Sequence, residues 1–213
     1  MAIDAIQRGV PIVALRTSTH SFQLPDSSSF KAYNNYGKEV LGEGWVAHWG
    51  NHKSEATRGM IEPDSRNSPL LQGVADLFVT TDVYEAHPPA DAKILVRGQV
   101  LAGMKPTDAP AAYEKKRSND QQTQDVNSPM IPIAWQRVVK NTAGKTNKIL
   151  CTTMGAATDL TNEDLRRLII NGVFWGAGVK IPTKTDVTIV GEYQPSAYDF
   201  DGFKKNTKSE DYQ

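Results

Sequence analysis

The side chains able to carry chemistry fall in a few short stretches. Arg16-Thr17-Ser18-Thr19-His20 sets a guanidinium, hydroxyls and an imidazole directly after the apolar run Val10 to Leu15. No Gly-x-Ser-x-Gly elbow surrounds any serine, so these residues read as a polar ligand contact or a capped turn ahead of a nucleophilic triad. The second stretch, Gly42 to Lys53, brings Trp45, His48, Trp49 and His52 within eight residues. The i, i+4 spacing of His48 and His52 suits chelation on a helix. HWGNH, however, lacks an internal carboxylate and its Gly50 disfavours helix, so a hydrogen-bonded polar pocket outranks a metal set drawn from these histidines with Asp82, Glu85 and His87. In the third stretch, Asp82-Val83-Tyr84-Glu85 ends a strand with His87 close behind. Residues 82 and 84 share one strand face and 85 takes the other, so a carboxylate and a phenol project together. That pair suits the binding of a sugar's vicinal diol or the removal of a proton; the alternative is a salt-bridged strand end reaching Arg97.

Each stretch needs an element to hold it. Val10 to Leu15 is continuously apolar, the pattern of a strand covered on both faces of a parallel sheet. Arg16 to His20 then stand at a strand carboxyl end, where open α/β sheets bind ligands. Met1 to Gly9 reads as the last turns of a helix with Gly9 at its C-cap, and it lacks the order of a secretory signal. Asp26 to Ser29 predicts a cap for a short helix over Phe30 to Leu41, weakened by Gly37, and Ser68-Pro69 opens a helical segment closed by Gly73. Asp76 to Glu85 and Lys93 to Leu101 read as a hairpin. The polar passage from Gly103 to Pro129 is too long for a plain connection and is either a lid or a surface excursion. Ile131 to Val139 and Lys148 to Thr152 flank a turn at Ala143-Gly144, and Cys151, inside the second strand, reads as a buried small apolar residue. Thr161 with Asp164 approximates a capping box for the clearest helix, whose stripe runs from Leu165 and Leu168 to Ala177 and stops at Gly178. After Pro182 the chain turns polar, with Asp186 to Tyr193 as an edge segment.

Composition limits the function classes. The chain has 213 residues, 24 Lys+Arg against 24 Asp+Glu, and a single cysteine. Balanced charge and no basic patch argue against a nucleic-acid partner. One cysteine excludes an internal disulfide and any Cys-x-x-Cys zinc pair. No apolar run approaches the roughly 20 residues that span a bilayer, so no membrane partner is expected. P-loop, Gly-x-Gly-x-x-Gly and EF-hand patterns are missing, which leaves cofactors without motif support.

Taken together, VPIVALRTSTHSF, TTDVYEAHPPADAKILVRG, PIAWQR, KILCTTMGAATDL and NEDLRRLIINGVFWGAGVKIP resemble the carboxyl-terminal two thirds of a ThuA-like (trehalose-utilisation) domain, the last three being the most specific. The resemblance covers about Gly9 to Pro182. It implies an α/β, three-layer flavodoxin-like sheet of the class I glutamine amidotransferase kind, with helices on both faces and the usual N-terminal strands missing. Residues 1–182 would form that domain and 183–213 a polar extension. It places Asp82 and Tyr84 on the family's acidic-x-Tyr strand end, His20 in the loop after the central strand and Gly155 in the turn before the final helix. Two departures stand out. The elbow where a glutaminase has its cysteine reads Arg16-Thr17-Ser18, so glutaminase activity is not expected, and the family's late Gly-His pair is replaced by Met154 to Thr158.

The reading that follows is a carbohydrate-associated protein that binds or processes a sugar or keto-sugar at the strand carboxyl ends. Asp82 or Glu85 is the expected base, His20 or His48 the proton donor, and Arg16 the group that stabilises developing negative charge. Thr17, Thr19, His52, Tyr84, His87, Gly155 and Asp159 complete the expected lining, with no metal and no cofactor assigned. The competing reading is a non-catalytic sugar-binding or oligomerisation module. The strand Val10 to Leu15 is predicted to have an exposed edge, covered by a partner chain, a second copy or the tail.

Overall fold

The computed structural model describes residues 2–197 and 206–212. The chain opens with helix α1 (Ala2–Gln7) and strand β1 (Ile12–Leu15), then after an irregular passage forms β2 (Thr57–Ile61), β3 (Leu77–Val79) and β4 (Lys93–Val100). A two-stranded arm, β5 (Glu114–Lys116) with β6 (Thr123–Asp125), precedes β7 (Ile131–Lys140), β8 (Thr146–Thr152) and the long helix α2 (Glu163–Ala177). The main sheet has the order β1-β8-β7-β4-β2-β3. β1 runs parallel to β8 and every other neighbour is antiparallel, so the protein is mixed α/β. β1 lies at the edge of this sheet.

Burial explains the layers. β7 and β8 pair over seven residues, and Ile133, Ala134, Trp135, Ile149, Leu150 and Cys151 are all buried there. Residues opposite one another in such a pair share a face, so Leu150 and Gln136 point one way while Cys151 and Trp135 point the other. α2 covers the Leu150 face. A Cβ at Gly172 would come within 2.3 Å of the Leu150 side chain, so only glycine lets the helix sit this close. Leu165 and Leu168, both fully buried, add about 1.5–3 kcal/mol each by leaving water. The Trp135 face is covered differently, by single helical turns: the Trp135 indole N–H donates to the Leu41 carbonyl at 2.8 Å, and the Arg137 guanidinium donates to that of Val40.

Several expectations are corrected. The helix over Phe30 to Leu41 is instead a 3-10 turn (Lys31–Asn35) and a π turn (Gly37–Leu41), because the weak helix formers Asn34, Asn35 and Gly37 interrupt it. β3 and β4 are not a hairpin, since β2 lies between them. β2, TRGMI, has Gly59 at its centre and no apolar alternation, which hides it in the sequence. The cap of α2 is Asn162, whose side chain accepts from the Leu165 N–H at 2.8 Å, one residue after Thr161. Asp186 to Tyr193 forms no strand; the Thr188 N–H and hydroxyl both donate to Asp186 in a local turn. The start of the polar extension packs on α2, where the Thr185 hydroxyl donates to Asn171 at 2.6 Å. Residues 198–205 of that extension lie outside the described residues. No helix among the described residues is long and apolar enough to cross a membrane.

Candidate functional site

Backbone pairing brings the second and third chemical stretches together. Beyond β3 the chain runs across the Trp135 face of the sheet, where Gly98 makes room for it: a Cβ there would meet Val83 at 2.8 Å and Ile133 at 2.7 Å. The Trp49 and Gly50 N–H groups donate to the Val83 carbonyl and the Glu85 N–H donates to that of Ala47, so residues 47–50 and 83–85 form a short bridge with His48 opposite Tyr84. Asp82 stands at the start of this bridge, its carboxylate wholly shielded from solvent. The His48 and His52 side chains are 39% and 41% exposed. The spacing of the two histidines is set by a turn and not by a helix.

Asp82 organises the cluster. Its Oδ2 accepts from His48 Nδ1 at 2.7 Å, and its Oδ1 accepts from His52 Nδ1 at 2.8 Å and from Arg16 at 3.0 Å. An ionised carboxylate only accepts, so both imidazoles carry a proton on Nδ1, and among the described residues Nε2 of each ring makes no hydrogen bond. Burial alone would push the Asp82 carboxyl up; the hydrogen bonds from His52 and His48 and the Arg16 charge outweigh it and hold the carboxyl below its usual range.

Arg16 is the structural cation. It follows β1 with φ of 34°, a left-handed backbone that a side chain rarely adopts, and the guanidinium donates also to the carbonyls of Asp82 and Thr153 at 3.1 and 3.0 Å. Its carbon centre lies 4.1 Å over the Tyr84 ring. Because β1 and β8 are parallel, Arg16 and Thr153 emerge at the same end of the sheet.

Aromatic groups surround the imidazoles. His48 and His52 have ring centroids 4.6 Å apart, and Tyr84 stands edge-on to His48 at 5.4 Å. Trp45, 44% exposed, lies 5.8 Å from His48 and 5.7 Å from His20. Burial, then the charges of Arg16 and His48, lower the affinity of the His20 ring for a proton.

A second carboxylate–imidazole pair sits three residues on. Glu85 accepts from His87 Nε2 at 2.9 Å and, at 2.7 Å each, from the N–H and hydroxyl of Ser118 on the β5–β6 arm. Lys115 of the same arm donates to the carbonyls of His48 and Trp49, both at 2.8 Å, and the Tyr113 hydroxyl donates to Glu55 at 2.7 Å. The polar passage is therefore an ordered arm packed against the segment that carries the site.

The expected residues thus sort into groups. Arg16, His20, His48, His52, Asp82 and Tyr84 come together. Glu85 and His87 form the neighbouring pair. Thr19 is buried, its hydroxyl bonded to the Arg16 carbonyl and to His20, and it supports the turn, whereas Thr17 is exposed and its carbonyl accepts from the Ser21 hydroxyl. Asp159 locks a turn: its Oδ2 accepts from the Gly155 and Ala156 N–H groups and the Thr81 hydroxyl. The roles expected of the carboxylates also change. Asp82 is fully buried and Glu85 nearly so, and each already accepts three hydrogen bonds, so the imidazoles and not the carboxylate oxygens face the solvent. Trp45, Lys115 and Ser118 were missing from the expected lining; a tryptophan three residues before His48 was the one visible signal.

His48, His52 and Asp82 form the one group among the described residues whose donor atoms, all within 4.8 Å of one another, are placed to hold a metal ion. Two surface hollows elsewhere flank α2, one lined by Asp76, Asp164 and Arg167 and the other by Pro69, Lys148 and Trp175, and neither contains an imidazole. Against known proteins, no family model matches this chain. No curated protein matches it either.

Proposed function

We propose that the Asp82 cluster receives a sugar or keto-sugar and transfers protons on it through His48 and His52. The observation that carries this reading is the buried Asp82 carboxylate holding two half-exposed imidazoles by Nδ1, which leaves both Nε2 atoms for a ligand. An imidazole oriented in this way can serve as a general base or acid through its outer nitrogen. Asp82 orients, Arg16 anchors Asp82, and Trp45 offers the exposed ring on which the apolar face of a sugar stacks. Glutaminase chemistry has no support, since Cys151, the only cysteine, is buried and burial drives its thiol far above the ordinary range.

The ThuA-like resemblance and its flavodoxin-like three-layer frame belong to this proposal. Their support is the parallel β1–β8 pair, with polar residues gathered at its carboxyl ends. The competing reading, a non-catalytic sugar-binding or oligomerisation module, is favoured by one observation, the edge position of β1. Calorimetric titration with a panel of disaccharides, keto-sugars and sugar acids tests the first reading. Saturable binding that weakens at least tenfold in His48→Ala and in Trp45→Ala is expected. Absence of binding across the panel, or binding indifferent to both substitutions, sinks it.

A further inference from the structure

We infer that His48 and His52 form a site for one late first-row divalent cation such as zinc, cobalt or nickel, bound through Nε2 of each ring with Asp82 as the carboxylate that orients both. The inference concerns the same cluster as the carbohydrate reading but rests on its donor atoms alone. Metal-ligating histidines almost always give their other ring N–H to a carboxylate or carbonyl, which fixes the tautomer and makes the ligating nitrogen more basic. Here that arrangement is complete for two histidines at once: both Nδ1 atoms are bonded to one ionised carboxylate, at 2.7 and 2.8 Å. The free nitrogens belong to rings that are half exposed, so an ion reaches them from solvent without unpacking the core.

The ring separation fits. Two rings whose Nε2 atoms converge on one ion, with metal–nitrogen bonds of about 2.0–2.1 Å and an N–metal–N angle of roughly 90°, have centroids roughly 4.5 Å apart, and these two stand at 4.6 Å. Such an angle belongs to five- or six-coordinate ions, which keep positions for water or a ligand oxygen. Direct ligation by Asp82 is disfavoured, because its oxygens are buried and already hold Arg16. Imidazole donors select zinc, cobalt and nickel over magnesium or calcium, which take oxygen.

Charge then points to the ligand class. Arg16 and Asp82 cancel, so the loaded site carries the ion's own two positive charges into a region walled by Trp45 and Tyr84. An anionic or strongly dipolar oxygen is what such a site takes: a sugar acid carboxylate, or the carbonyl and adjacent hydroxyl of a keto-sugar. In that loaded form the two imidazoles no longer exchange protons at Nε2.

The test is calorimetric titration of the chelator-stripped full chain with zinc, cobalt and nickel chlorides, with magnesium chloride as the control. Expected are one ion per chain for the first three, at least tenfold weaker binding in His48→Ala and in His52→Ala, unchanged binding in His87→Gln, and a loss of about 10- to 100-fold in Asp82→Asn. No saturable binding of any of the three ions, or binding that survives His48→Ala with His52→Ala, overturns the inference. Both histidines are half exposed, so their alanine variants are expected to fold, and circular dichroism checks this before titration. The stripped and loaded proteins are each titrated with the sugar panel, which separates the two readings. Metal binding with no sugar binding in either form leaves the cation site standing and overturns the carbohydrate reading; sugar binding by a protein that takes up no metal does the reverse.

Discussion

Two carboxylate–imidazole assemblies lie three residues apart on one extended segment, and they are built for different ends. At Asp82 the carboxylate is anchored from behind by Arg16 and shared by two imidazoles that keep their outer nitrogens free. At Glu85 the carboxylate holds one imidazole and also accepts from the N–H and hydroxyl of Ser118 on the β5–β6 arm. Both carboxyls are held below their ordinary range although burial alone would raise them, in each case by the hydrogen bonds they accept. What separates them is what faces the solvent. The first cluster presents the outer nitrogens of two half-exposed rings side by side, whereas the second presents one ring, 27% exposed, and fastens the arm through Ser118.

The largest effect that sharpens this contrast is expected from Asp82→Ala. It leaves the nearly buried Arg16 guanidinium without its counter-charge, and breaking a buried pair in this way costs about 3–5 kcal/mol. Urea denaturation should show it; a loss under about 1 kcal/mol would place Asp82 outside the structural framework. Glu85→Gln should cost less, about 1–3 kcal/mol, because its donors are partly neutral. It should also flatten the acid limb of stability. The folded Glu85 carboxyl lies below its ordinary value of 4.5, so its contribution is complete above that pH and fades as pH falls through the lower folded value. An acid limb identical in wild type and Glu85→Gln breaks the picture of a clamp.

Ser118→Ala removes one of the two bonds from the arm and is expected to cost roughly 0.5–1.5 kcal/mol, with the arm's amides losing exchange protection before the rest of the sheet. Smallest in stability are His48→Ala and His52→Ala, at about 1 kcal/mol or less, since these rings are half exposed. Their signature is lost ligand or metal affinity. If His87→Gln abolished that affinity while His52→Ala did not, the assignment of open and closed clusters would have to be exchanged.

The sequence makes the members of the open cluster visible but not its economy of roles. Arg16 at the end of an apolar run, His48 and His52 in a tryptophan-rich stretch, and Asp82 with Tyr84 two residues apart are all recognisable by type and spacing. Their partnership depends on the pairing of 47–50 with 83–85, which no local pattern announces because neither stretch is a regular strand. The same limit explains the exchange of roles. Exposure is a tertiary property, so a carboxylate read as a base proves to be the buried pivot. β2 escaped for a related reason: TRGMI is held by neighbours on both sides and not by its own propensity. The arm from Glu114 to Asp125 was legible only as a passage too long to be idle, since its strands are short, polar and exposed.

The edge position of β1 also sets a timescale for the site. A strand paired on one side opens more readily than one paired on both, and the strained Arg16 that follows it carries the anchor of Asp82. Fluctuations that peel β1 from β8 would therefore loosen the Arg16 anchor of Asp82. Because Asp82 holds Arg16 and Arg16 follows the strand, a ligand bridging His48 and His52 is expected to slow the deuterium uptake of Ile12 to Leu15, remote from any atom it would touch.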